Sequence, residues 1–204
     1  MFTLKTSLII PTRNRVSFLS KTLKQIYDNK ICFAEILIID SSDKIYKSEI
    51  KKIVDKYKIK LFETEPSTSK QRNVGIENAS RDNKFIMFLD DDILFSGEMF
   101  SQMNQTIINN CNDRSIVGYG FNQIQDVKIN LIEKIKSNKL INYLELYPDK
   151  PGKVALSGWQ SKILNLKEDV IAEWIYTTAC IYRLESIKNH RLDESFESYS
   201  YLEN

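Results

Sequence analysis

The first half of the chain alternates two hydrophobic periods. Short runs rich in Ile, Leu and Phe at residues 6–10, 35–39, 60–62 and 84–89, each closed by a polar residue or proline, read as buried strands. Between the first two, Val16, Leu19, Leu23 and Ile26 recur at three- and four-residue spacing, the single apolar stripe of a helix that packs on a sheet. Residues 45–58 repeat the pattern with Tyr46, Ile50, Ile53, Val54 and Tyr57 on one face and Lys44, Lys47, Lys51, Lys52, Lys56 and Lys58 around the rest. A third helix is expected to start at Ser67 or Ser69, whose hydroxyls suit an N-cap, and to run through Asn78. Strands alternating with helices predict an α/β fold with a mostly parallel central sheet flanked by helices. Beyond Asp92 the pattern loosens into an expected helix at 96–108, a strand at 115–121, a helix at 127–137, loops and short strands over 139–160, and a buried strand at 175–182.

Composition narrows the class. The 204 residues suit one domain with a substantial core, and 42% hydrophobic with 27% charged residues is ordinary for an ordered globular protein. A net charge of +2 argues against a nucleic-acid partner, which would demand a strongly basic surface. Cys32, Cys111 and Cys180 lack metal-site or redox-motif spacing and are expected to be reduced, buried thiols. With no signal-peptide pattern and no run long enough to span a bilayer, a cytoplasmic location is expected. The lysine-rich face of the second helix reads first as a solvated surface. Its functional reading is peripheral contact with anionic lipid at the inner face of a membrane.

In an open α/β sheet, ligands bind beyond the carboxyl ends of the strands. The polar clusters at those ends are Pro11-Thr12-Arg13-Asn14-Arg15, Asp40-Ser41-Ser42-Asp43 and Asp90-Asp91-Asp92, expected to converge on one crevice. Three adjacent carboxylates repel one another unless a cation lies between them. Oxygen ligands suit a hard ion, Mn2+ or Mg2+, and Mg2+ commonly completes its shell with substrate phosphates, which implies a diphosphate-bearing substrate. The run Ser69-Lys70-Gln71-Arg72-Asn73-Val74-Gly75 sets two cations at a helix start, where phosphate or a base carbonyl is readily met.

Together these pieces resemble a family 2 glycosyltransferase of the GT-A (Rossmann-like) fold, a group of inverting enzymes that use nucleotide-diphosphate sugars. The resemblance is carried by residues 7–15, 35–42, 71–76 and 88–92 in that order, and by Glu173-Trp174, 179–183 and 192–196 nearer the C-terminus. It implies a single domain over 1–204, with a nucleotide-sugar-binding half at 1–95 and a smaller acceptor-side half at 96–204 that is C-terminally incomplete. Pro11, Thr12, Asn14, Arg15, Asp40, Ser41, Arg72, Asp90 and Asp91 fall on donor-nucleotide positions. Thr12 and Asp40 match positions that hold the base, and Asp90 one near the ribose. The metal belongs to the Asp90-Asp91-Asp92 run, whose DxD motif reads in two registers, and Trp174 falls on the acceptor side. The base that takes the acceptor proton is expected in a Glu-Asp pair, here Glu203-Asn204. Asn cannot serve, which leaves Glu203, Asp193 or Glu194 for that role. The implied partners are a nucleotide-diphosphate sugar, commonly a UDP-sugar, and a glycan or lipid-linked acceptor of a surface polysaccharide. Rival readings are an inactive donor-binding module and a sugar nucleotidyltransferase. The nucleotidyltransferase calls for a glycine-rich loop after the first strand, and residues 11–15 contain no glycine.

Overall fold

The computed structural model describes residues 5–124, 143, 144, 146–148 and 150–195. The chain divides into two compact units, one formed by Met1–Tyr119 with Thr177–Asn204 and the other by Gly120–Tyr176. The first unit carries β1 (Thr6–Thr12), α1 (Val16–Asp28), β2 (Glu35–Asp40), α2 (Lys44–Tyr57), β3 (Lys60–Glu63), α3 (Thr68–Asn78), β4 (Phe85–Leu89) and α4 (Gly97–Asn109). A short β5 (Gly118–Gly120), β6 (Ala179–Arg183) and α5 (Leu184–Ile187) complete the described elements.

The sheet order is β3-β2-β1-β4-β6-β5, with β1 to β4 parallel and β6 antiparallel to β4. Leu8, Ile9, Ile10, Leu37, Ile38, Ile39, Ile86 and Met87 have no exposed surface, because helices cover both faces of the central strands. This explains why these strands read as unbroken apolar runs. β1 and β2 run one to two residues past the expected ends, since Thr12 pairs with Asp40 in register and polar side chains do not stop a ladder. The expected stripe of α1 is borne out by buried Leu19, Leu23 and Ile26. In α2 only Ile50 and Val54 are buried, and the lysines on its other faces are mostly exposed. α3 starts from Ser67, whose hydroxyl accepts from the Lys70 amide at 3.2 Å.

Several expectations need correction. Cys32 and Cys111 are exposed, each in a turn after a helix rather than in the core; Cys180 alone is buried, and burial pushes its thiol up to about 12. The expected strand at 115–121 shrinks to Gly118–Gly120, and within the lost part the Ile116 carbonyl accepts from the Arg183 guanidinium at 2.8 Å. The expected strand at 175–182 begins only at Ala179, paired with Leu89, where β4 ends. The expected helix at 127–137 lies outside the described residues. His190 is exposed, as its polar surroundings suggested.

Candidate active site

β1, β2 and β4 end side by side, and the polar residues after each lie at one end of the sheet. An open crevice of about 380 Å³ is lined there by Pro11, Thr12, Arg13 and Arg15 from the first loop, Thr68 and Gln71 from α3, and Asp90, Asp91 and Asp92 after β4. Of the expected donor residues, Pro11, Thr12, Arg15, Asp90 and Asp91 line this crevice, whereas Asn14, Asp40, Ser41 and Arg72 are not among its lining.

The three carboxylates are held differently. Asp91 is buried: its Oδ2 accepts from the Thr12 hydroxyl at 2.6 Å, its Oδ1 from Arg15 at 3.1 Å, and its carbonyl from the Thr22 hydroxyl at 2.7 Å. Asp92 is exposed and takes a 2.7 Å bond from the same Arg15 nitrogen. Asp90 accepts at 3.1 Å from Arg72, which is 1% exposed and lies over the Phe88 ring. Burial, joined by the neighbouring negative charges, raises the Asp90 carboxyl to about 6 despite the opposing Arg72. Burial also raises Asp91, against the opposing pull of Thr12 and Arg15.

The loops themselves are braced. Asn14 adopts a left-handed backbone (φ 56°), which Asn tolerates because its short amide bonds locally. Its amide N–H donates to Ser42 Oγ at 2.7 Å, its Nδ2 donates to Asp43 at 2.8 Å, and its Oδ1 accepts from the Asp43 amide at 2.9 Å. Gln71 ties the two strand ends together, its Nε2 donating to the Thr12 and Ile39 carbonyls at 2.9 and 2.7 Å. Asp40 is 1% exposed; its Oδ1 accepts from the Ser42 amide at 2.9 Å, and its Oδ2 is buried without a hydrogen-bond partner. An acceptor left bare in this way costs stability unless a donor from outside the chain completes it.

Asp193 and Glu194 are not among the residues that line this crevice. Glu194 Oε1 accepts from Asn73 at 2.5 Å and from Arg191 at 2.7 Å, and these partners hold its carboxyl below the usual range. Asp193 is exposed, and its Oδ1 accepts from the Ser195 amide, which lowers it too. Glu203 lies outside the described residues. Trp174, in the second unit, packs edge-on against Tyr176 with ring centroids 4.7 Å apart. Arg13 and Gln71 stood in the expected clusters at 11–15 and 69–75 without a donor position of their own, whereas Thr68 gave no signal beyond its place at a helix start.

A divalent cation fits the donor chemistry here: Asp92 lines the crevice with only one of its oxygens bonded among the described residues, beside the partly exposed Asp90. Among the described residues no three His, Cys, Asp or Glu side chains form a metal cage. An ion held by one or two carboxylates therefore needs oxygens from a ligand to complete its shell.

An open, mostly parallel sheet with this crevice at its carboxyl end is the arrangement of the GT-A fold. TarS of S. aureus (residues 1–349) matches with a TM-score of 0.56 at 18% identity over 96% of this chain and 52% of that one. Mannosyl-3-phosphoglycerate synthase of Rubrobacter xylanophilus matches with a TM-score of 0.51 at 11% identity over 89% and 54%. The 4-diphosphocytidyl-2C-methyl-D-erythritol synthase of Anaerococcus prevotii DSM 20548 matches at 0.48 and 15% over 91% and 74%. The first two likenesses describe the fold, and the chain spans about half the length of those two proteins. No curated protein sequence matches it. The model of the family described as Glycosyl transferase family 2 matches residues 7–165, and the chain belongs to that family.

Proposed function

We propose that this protein is a nucleotide-sugar-dependent glycosyltransferase that moves a sugar from a nucleoside-diphosphate donor, a UDP-sugar, to a hydroxyl of a glycan or lipid-linked acceptor with inversion. One observation carries the reading: Thr12 and Arg15 from the first loop and Arg72 from α3 meet the carboxylates of Asp90-Asp91-Asp92 at the carboxyl end of the sheet, around one crevice. Membership of the family supports the same conclusion.

Within this reading Asp40, with its bare buried oxygen, receives an N–H of the nucleotide base. The burial of Asp91 favours the register in which Asp90 and Asp92 form the functional pair, Asp90 toward the ribose and Asp92 toward Mn2+ or Mg2+. When bound, the ion would offset the charge that grows on the departing nucleoside diphosphate. Glu203, Asp193 or Glu194 takes the acceptor proton, with Trp174 on the acceptor side.

Calorimetric titration of UDP into the protein tests the donor half. Binding is expected with Mn2+, and is expected to vanish when the metal is chelated or Asp92 is changed to Asn. Failure of the folded protein to bind UDP, GDP or dTDP under all these conditions overturns the reading. A nucleotidyltransferase would instead release pyrophosphate from a nucleoside triphosphate and a sugar phosphate, an activity expected to be absent.

A further inference from the structure

Two of the three crevice carboxylates depend on a single guanidinium nitrogen. Arg15 Nη1 donates to Asp91 Oδ1 at 3.1 Å and to Asp92 Oδ2 at 2.7 Å. The three partners are unequal. The Asp91 side chain is 4% exposed and keeps a second bond from Thr12, whereas those of Asp92 and Arg15 are 39% and 50% exposed and lack comparable support. The Arg15–Asp92 contact is therefore the weak link, for an ion pair open to solvent is worth little and is readily exchanged. Arg15 also stands at the N-cap of α1 without making a side-chain capping bond, and its contact with that helix is the Phe18 ring, 5.8 Å from the guanidinium and half exposed itself. The other arginines nearby are committed: Arg72 is buried on Asp90, and Arg13 leans toward Asp43 at 3.9 Å.

We propose that Arg15 is an exchangeable counter-cation. Before the donor arrives it neutralises Asp91 and Asp92; on loading it yields Asp92 to the divalent ion and turns its guanidinium to the donor's diphosphate. The charges require such an exchange. Three carboxylates face two guanidiniums, Arg15 and Arg72, so the cluster has a small negative excess. A divalent ion placed on Asp92 beside an unmoved Arg15 would meet a like charge across one carboxylate. With Arg15 released, the ion and the two carboxylates balance, and the freed guanidinium lines the same crevice that the diphosphate enters. Its planar fork suits phosphate oxygens better than a lysine would. The diphosphate half of this exchange rests on the glycosyltransferase reading, while the metal half rests on the carboxylates alone.

The test is Arg15→Gln, with Arg15→Lys as the charge-retaining control, read by binding. Mn2+ binding without nucleotide, followed by electron paramagnetic resonance, is expected to tighten about three- to tenfold in R15Q and to stay near wild type in R15K. UDP affinity at saturating Mn2+ is expected to fall about tenfold in R15Q. The opposite signs are the signature, since a merely structural staple would weaken both when removed. Weaker or unchanged Mn2+ binding in R15Q, or none by any form, overturns the proposal. Tighter Mn2+ binding with no nucleotide bound by any form retains the counter-cation and overturns the donor reading. UDP binding by wild type with unchanged Mn2+ affinity in R15Q does the reverse.

Discussion

Asn73 grips Leu192 by both edges of its amide. Its Oδ1 accepts from the Leu192 N–H at 2.9 Å and its Nδ2 donates to the Leu192 carbonyl at 3.0 Å, with a further bond to Glu194. The side chain thus takes the place of a neighbouring strand for a segment 119 residues away, and it is 2% exposed. The preceding residue on the same helix is Arg72, on Asp90. One turn of α3 therefore holds the segment at Leu192–Glu194 and the Asp90 carboxylate of the crevice together.

Asn73→Ala is expected to strip Leu192 of both partners and to destabilise the fold by about 1–3 kcal/mol, the cost of stranding buried polar groups. Hydrogen exchange is the measurement: the Leu192 amide should lose protection before the amides of β1 and β2 do. Equal protection of Leu192 in both proteins would mean that the clamp is dispensable.

Glu35 makes a pH-dependent contribution. Its Oε1 accepts from Ser7 at 2.7 Å, the Ser80 amide at 2.6 Å and Asn83 at 3.1 Å, while Lys60 reaches Oε2 at 2.6 Å. Burial raises this carboxyl, but Lys60, Ser80 and Ser7 outweigh burial and hold it below the ordinary 4.5. A carboxyl depressed on folding adds stability above the unfolded value and loses it as pH falls through the folded one. Glu35→Gln should therefore cost about 1–3 kcal/mol at pH 7, with the gap to wild type narrowing below about pH 4.5. Denaturant midpoints of the two proteins across that range decide it, and a constant gap would contradict the assignment.

Gly75 allows α3 to lie close on β1. A Cβ built there would stand 2.5 Å from Ile9 Cγ2, and Ile9 is fully buried at the centre of the sheet. Gly75→Ala is expected to cost about 1–3 kcal/mol through overpacking. Ile9→Ala alone should also destabilise, by opening a cavity. The double variant should lose less than the two single costs together, because the new methyl occupies the vacated space. Strict additivity in unfolding experiments would show that the contact is relieved elsewhere.

The sheet was legible because its central strands are buried on both faces, so Leu8-Ile9-Ile10 and Leu37-Ile38-Ile39 carry continuous apolar signals. β5 was overestimated because the sequence does not reveal that the Ile116 carbonyl is taken by the guanidinium of Arg183, 67 residues away. At the site, the acidic run stood out against the apolar strand before it. Which carboxylate is buried did not, for Asp91 is selected by hydroxyls of Thr12 and Thr22 at separations of 79 and 69 residues. Engagement of Glu194 by Asn73 was equally hidden, at a separation of 121.

Arg72 and Asp90 are expected to behave as a coupled pair. The Arg72 side chain is 2% exposed and that of Asp90 26%, so removing either charge leaves its partner in surroundings that solvate it poorly. Arg72→Met should destabilise the protein by about 2–4 kcal/mol, somewhat under the cost of breaking a fully buried pair because Asp90 retains some solvent. Asp90→Asn takes the Asp90 carboxylate away from the buried guanidinium beside Phe88 and should cost a similar amount. The double variant Arg72→Met/Asp90→Asn buries no net charge and should recover much of the loss, giving a coupling of at least about 1 kcal/mol in a thermodynamic cycle. It should nevertheless bind UDP no better than either single variant, since the proposed donor site loses both groups. Recovery of stability without recovery of binding would separate the structural work of this pair from its work on the donor. Recovery of both would show that the nucleotide is held by other residues of the crevice.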